Sequence, residues 1–165
     1  MSVIVSVELP SRMKNSGKTR RLLALVVIFT ASCSSFEPGE RRSMDREEMS
    51  HGLQDIAFEV PSGFEFVQAF THAEFVGRPA WWARFDASSE WGDDVALSAA
   101  NPSYPPLQPV TCTAASTSNW TALGMTCEPE MLSTSRPAQG TADPVTVLLT
   151  RNTRQSSLFI YSQGH

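Results

Sequence analysis

The order of charge and hydropathy at the N-terminus limits which part of this chain can fold as a domain. Residues 1–32 hold five basic residues against the single acid Glu8, a formal charge of +4, and the last basic residues run directly into apolar residues from Leu22 to Ala31. Those ten residues would form a helix of roughly 15 Å, about half the thickness of a bilayer core. A basic segment, a short apolar segment and small residues, in that order, are typical of a secretory signal peptide. We therefore predict a signal peptide over 1–32. We expect translation to begin at Met13, which would leave a signal peptide of ordinary length over 13–32.

Cys33 adds a second feature to this pattern. Residues 30–33, Thr-Ala-Ser-Cys, resemble the lipobox of bacterial lipoproteins, although Thr30 stands where that family prefers an aliphatic residue. The resemblance implies that Cys33 is lipidated and becomes the first mature residue, followed by a polar tether over 33–55. It also implies a cell-membrane location on the extracytoplasmic face. The alternative is ordinary secretion with an incidental cysteine near the cleavage point.

The residues after position 32 have the composition of an acidic, single domain. They hold eight arginines, no lysine and sixteen acids, a formal charge of −8. Together with the lipobox, this arginine bias is similar to small lipoproteins of high-GC Gram-positive bacteria. About 130 residues suit one domain, which we place at 56–165. The negative charge argues against nucleic acid as a partner, and the longest apolar run is too short for a conventional membrane span.

Two cysteines remain after Cys33. In an exported protein, an even remainder predicts a disulfide, here between Cys112 and Cys127. Two free thiols or half of a metal site are the alternatives, and the spacing of fifteen without a CxxC pair disfavours the metal.

Hydropathy patterns predict an α+β fold, a small antiparallel sheet with one packed helix and one disulfide. The helix is predicted over 88–100, a partial helix over 41–55 and a loop over 128–143. Strands are predicted over 55–60, 64–70, 80–86, 110–113, 120–127, 145–150 and 158–161. The predicted core comprises Phe66, Phe70, Trp81, Phe85, Val147, Leu149 and Phe159.

The aromatic residues are the candidate contacts for a ligand or partner. Trp81 and Trp82 are adjacent on a predicted strand and must point to opposite faces, so one of them leaves the core unless something covers it. We add Trp91 and Tyr104 to this candidate surface; the alternative is a sheet with aromatic residues packed on both sides.

Three functions remain open from these residues. The first is a ligand-binding or accessory protein of the cell envelope, with a cell-wall ligand or an envelope protein as its partner. The second is an envelope hydrolase that uses Glu90, Asp93 or His72, and the third is a scaffold subunit of an envelope complex. We predict no cofactor and no metal, since the three histidines are too scattered for a metal motif.

Overall fold

In the described part of the chain, alternating and β-branched segments form one seven-stranded antiparallel sheet. The computed structural model describes residues 39–72, 77–88, 92–115 and 118–164. The strands are β1 (Arg41–Met44), β2 (Glu65–His72), β3 (Trp81–Ser88), β4 (Gln108–Pro109), β5 (Glu130–Arg136), β6 (Val145–Arg151) and β7 (Gln155–Ser162). The helices are α1 (Arg46–Asp55), α2 (Asp94–Ala100), α3 (Cys112–Ala115) and α4 (Ser118–Ala122).

The strand order places the last strand at the centre of the sheet. The order is β1-β2-β3-β7-β6-β5-β4, and every neighbouring pair is antiparallel. The two flanks share one connectivity: a short edge strand, a helical connection, then two longer strands. In the first flank α1 joins β1 to β2, and in the second α3 and α4 join β4 to β5. Strand β7 therefore joins two flanks of the same design.

Helices cover both faces of the sheet. Side chains at adjacent strand positions point to opposite faces, so each face carries an apolar cluster that a helix must cover. On the first face, Trp81 and Ile160 pack with Met49 of α1 and Leu97 of α2. On the second face, Trp82, Leu148 and Phe159 pack with Ala115 of α3, Trp120 of α4, and Leu123 and Met125 after it. A strand covered on both faces reads as a continuous apolar run, as Leu158 to Ile160 does in β7.

The predicted fold class is wrong in its size and layering. A small sheet with a single packed helix was expected, whereas the described residues form one sheet of seven strands with short helices on both of its faces. The cause lies in the helices of the second face. They have four and five residues, too short to show a helical period in the sequence.

Several element predictions are also wrong. The segments 110–113 and 120–127 were predicted as strands and instead overlap with α3 and α4. The predicted loop 128–143 contains β5, and the predicted strand 55–60 begins with the end of α1 and is not a strand. The helix predicted over 88–100 is α2, which begins only at Asp94 because Asp93 is its N-cap.

Other element predictions are confirmed. The strands predicted over 64–70, 80–86, 145–150 and 158–161 correspond to β2, β3, β6 and β7. Most of the predicted core is buried, while Phe66 and Phe70 of β2 are half-buried.

The disulfide between Cys112 and Cys127 is confirmed, with the two Cα atoms 5.4 Å apart. It joins the first residue of α3 to the chain beyond α4. The helical connection of the second face is therefore closed by a covalent bond, whereas its counterpart α1 on the first face is held by packing and by hydrogen bonds to its C-terminal end.

Candidate functional site

A polar cleft opens between α1 and the ends of β1, β2 and β3 on the first face. Its volume is about 280 Å³, near the lower limit of small-molecule sites, which run from about 300 to 1,000 Å³. Its charged and titratable lining residues are Arg42, Glu48, His51, Asp55, Arg78 and Asp143. Met44, Gly52, Thr71, Pro79 and Trp81 complete the lining.

Trp81 reaches this cleft because α1 carries a glycine where the helix crosses the indole. A Cβ atom on Gly52 would lie 3.2 Å from Trp81 Cε2, 3.3 Å from Trp81 Nε1 and 3.0 Å from Met49 Cε. Glycine inside a helix costs about 1 kcal/mol relative to alanine. The close approach of the indole explains why the position is nonetheless glycine. Trp81 is 6% exposed, so it contributes an edge of its ring to the cleft rather than a free face.

The charged lining of the polar cleft divides into fixed and free side chains. Arg42 Nη1 donates to Glu48 Oε1 at 2.8 Å, and Glu48 is also held by the capping box with Asp45 at the start of α1. This pair is more than a third exposed, so its contribution to stability is small, but the geometry of Arg42 is set. Across the described ranges, neither Arg78 nor His51 forms an ion pair or a side-chain hydrogen bond. These two side chains are available to a ligand.

Asp143 is the buried carboxylate of the polar cleft. It is 4% exposed, and Ser162 Oγ of β7 donates to its Oδ2 at 3.4 Å. A buried carboxylate is stable only when it is hydrogen-bonded or paired. Asp143 therefore ties the cleft to the central strand of the sheet.

Trp82 lies on the opposite face, away from the polar cleft. It is 2% exposed, covered by the α3–α4 segment, and its ring contacts those of His72 at 4.9 Å and Phe70 at 6.1 Å. Its indole Nε1 is buried, and no described residue accepts a hydrogen bond from it. The helices thus cover the tryptophan that would otherwise leave the core. Trp91, the third candidate tryptophan, lies outside the described residues.

Tyr104 is a buried support for α1. Its hydroxyl donates to the carbonyl oxygen of Ile56 at 2.9 Å, and Arg136 Nη2 donates to the same oxygen at 2.8 Å. The Arg136 guanidinium lies 4.4 Å from the Tyr104 ring centroid. Two donors on one carbonyl satisfy an acceptor that the helix leaves unpaired at its C-terminal end. Burial raises the pKa of Tyr104 to about 12, although the charge of Arg136 acts in the opposite direction.

This pKa predicts a loss of stability at high pH. Below about pH 10 Tyr104 is neutral in both the folded and the unfolded chain, so its full contribution to the free energy of unfolding is present. Between pH 10 and pH 12 only the unfolded chain loses the proton, so unfolding becomes easier by about 2 kcal/mol. Urea unfolding of the wild type and of Tyr104→Phe, compared at pH 9 and pH 11.5, measures this. The advantage of the wild type should shrink at the higher pH; an unchanged difference would contradict the shift.

The two described residues of the hydrolase hypothesis, His72 and Asp93, lie on opposite faces of the sheet. His72 lies on the second face, where its Nδ1 is 3.1 Å from the carbonyl oxygen of Gly39. Asp93 caps α2, which packs on the first face, and accepts from the Ala96 N–H. Glu90 lies outside the described residues. In the described ranges there is also no group of three His, Cys, Asp or Glu residues able to hold a metal ion.

Most residues that line the polar cleft were not predicted as site residues; Trp81 is the exception. His51, Gly52 and Asp55 lie in a segment that was predicted as a tether with a partial helix but not as part of a site, and Arg78 and Asp143 were not singled out. A usable signal was present: Asp45 and Glu48 have the spacing of a capping box, which marks a helix start. That helix brings His51 and Asp55, four residues apart, to one side of α1.

The chain matches no protein-family model, no curated protein and no solved structure. In the described part of the chain, no helix has the length and apolar character needed to cross a membrane. A function for this chain must therefore be argued from the geometry and charge of the site.

Proposed function

We propose that this protein is a lipid-anchored, extracytoplasmic lipoprotein whose domain binds a small polar ligand in the polar cleft. The anchor is Cys33, on the grounds of the lipobox resemblance. The observation that carries the binding function is the cleft itself, where two free basic side chains stand beside a fixed Arg42–Glu48 pair and a tryptophan edge.

The charge balance of the polar cleft indicates the kind of ligand. Two arginines oppose Glu48, Asp55 and Asp143, so the lining is close to neutral. A cleft built to bind a strong anion would hold an excess of arginine. Planar carboxylate, guanidinium and imidazole groups in near balance suit a ligand rich in hydroxyl or amide groups, such as a cell-wall glycan or peptide fragment.

The binding function is tested with methyl labels on methionine. Met44 lines the polar cleft, whereas Met125 and Met131 pack on the second face. Soluble glycan fragments and muropeptides are added to protein carrying ¹³C-methyl methionine. A saturable shift of Met44 with unchanged Met125 and Met131 is expected for one of these ligand classes.

A change at Arg78 makes this test specific. Arg78→Gln should weaken binding by about tenfold to a hundredfold, because a hydrogen bond to a charged group contributes about 1.5–3 kcal/mol. Arg154→Gln is the matched control, since Arg154 is an exposed arginine outside the cleft. Equal affinity in both variants would remove Arg78 from the site, and an unmoved Met44 across the whole screen would count against the binding function.

The anchor is tested separately. Cys33→Ala should move the protein from the membrane fraction to the soluble extracytoplasmic fraction, since several acyl chains at about 0.8 kcal/mol per methylene hold a protein firmly. Immunoblots of fractionated cells measure the distribution. Ser34→Ala is the adjacent control and should remain in the membrane; membrane association of Cys33→Ala at the wild-type level would overturn the lipid anchor.

A further inference from the structure

A second groove lies on the other side of α1 from the polar cleft, and seven of its ten lining residues have apolar side chains. Its volume is about 270 Å³. Met49 and Leu53 of α1, Val60 and Phe64 of the following connection, and Phe66 and Phe85 of β2 and β3 line it. Leu53, Val60, Phe64 and Phe66 are only half-buried. The groove therefore leaves apolar surface in contact with water, which an apolar ligand would cover.

One cation stands at this apolar groove. Among the described residues that line it, Arg46 is the one with a charge. Arg46 is exposed and forms no ion pair with the residues that the structure describes; its guanidinium lies 6.0 Å from the centroid of the Phe66 ring.

Helix stability does not account for this arginine. Arg46 is the first residue of α1, where the helix dipole favours acids and disfavours cations. The acids Glu47 and Glu48 of the same turn already supply the favourable charge. An unpaired guanidinium above an aromatic ring, at the edge of an apolar groove, is instead placed to receive an anion attached to an apolar group.

We propose that the apolar groove binds a medium-chain fatty acid, with its alkyl chain against Leu53, Phe64 and Phe66 and its carboxylate on Arg46. The guanidinium matches a carboxylate with two parallel hydrogen bonds. A cavity of this size takes one medium-length chain and not a two-chain lipid. The site is distinct from the polar cleft in both residues and chemistry, so it does not depend on the function proposed for that cleft.

Methionine methyl groups again report the site of binding. Met49 lines the apolar groove, Met44 lines the polar cleft, and Met125 and Met131 lie on the second face. Sodium octanoate and decanoate are added to the full-length protein below their micelle concentrations. Met49 should shift saturably while Met44, Met125 and Met131 stay in place, and decanoate should bind more tightly, by up to about fourfold for each added methylene. Equal shifts of all these methyl groups, or none at Met49, would overturn the proposal.

Head-group charge and two variants complete the test. Octanoate should bind at least tenfold more tightly than octylammonium, and Arg46→Gln should remove most of that preference while Arg154→Gln preserves it. Ser62→Phe should block the groove from its exposed rim, with unchanged Met125 and Met131 signals showing that the fold is intact. A preference for octanoate that persists in Arg46→Gln, or full binding by Ser62→Phe, would contradict the proposed site.

Discussion

Replacing Gly92 by alanine is expected to lower the free energy of unfolding by about 3 kcal/mol. A Cβ atom at this position would lie 2.1 Å from Ser156 Cβ and 2.3 Å from Ser156 Oγ, and 3.3 Å from Phe64 Cζ. Ser156 is fully buried in β7, so the clash falls on the central strand and not on a mobile surface side chain. The segment that leads into α2 must therefore move away from the sheet. Urea unfolding followed by circular dichroism measures the effect.

A double-mutant cycle isolates the cause of this loss. Ser156→Gly removes the clashing atoms, so Gly92→Ala should cost at least 1 kcal/mol less in that background. Gly140→Ala is the matched control: its Cβ would meet nothing within 4 Å, and only its φ of +60° opposes the change. That control should cost about 1 kcal/mol. An equal effect of Gly92→Ala with and without Ser156→Gly would show that crowding against β7 is not the reason for the glycine.

Replacing both Cys112 and Cys127 by serine is expected to cost about 3 kcal/mol, the chain-entropy value for a loop of this length. The disulfide matters because α3 and α4 are too short to be stable without it. Helices of four and five residues are unstable alone, because helix nucleation is unfavourable. Without the disulfide, the α3–α4 segment should open locally and expose the second-face cluster around Trp82 and Phe159.

Hydrogen exchange distinguishes local opening from global loss. In the double serine variant, the amides of 112–125 should exchange much faster than those of β6 and β7. Wild-type protein treated with a dithiol reductant is the control and should behave like the variant. Uniform protection across both regions, or an unchanged unfolding free energy, would contradict the role assigned to the disulfide.

The strands that sequence patterns predicted correctly are those whose own residues determine them. In β6 and β7, β-branched and aromatic residues follow one another, and each strand is buried on both faces. The edge strands behaved differently. β1 contains Arg41 and Arg42 and was predicted as part of a partial helix, since charged residues protect the edge of a sheet and erase the apolar alternation.

Proline misled the prediction of β5. The segment 128–143, predicted as a loop, contains Pro129 and Pro137, yet these prolines flank the strand at Glu130–Arg136 and do not interrupt it. Proline lacks the N–H needed inside a ladder, so it is tolerated immediately outside one. The position of a proline relative to the strand, and not its presence in the segment, decides the outcome.

The candidate site was harder to predict from the sequence than the fold. The polar cleft combines His51 of α1, Arg78 of a connection and Asp143, which are separated by up to 92 positions in the chain. No local spacing relates them, because strand pairing brings them together. The disulfide was predictable because a predicted signal peptide and an even number of remaining cysteines together suggest one bond.

The central position of β7 has a consequence for the order of events during synthesis. β7 pairs with both β3 and β6, and it follows both of them in the chain. Trp81 of β3, for example, pairs with Ser162, which is synthesised 81 residues later. Until residues 155–162 have been made, the two flanks have no common neighbour and their apolar faces are incomplete. The domain therefore completes its sheet only after its central strand has been translated.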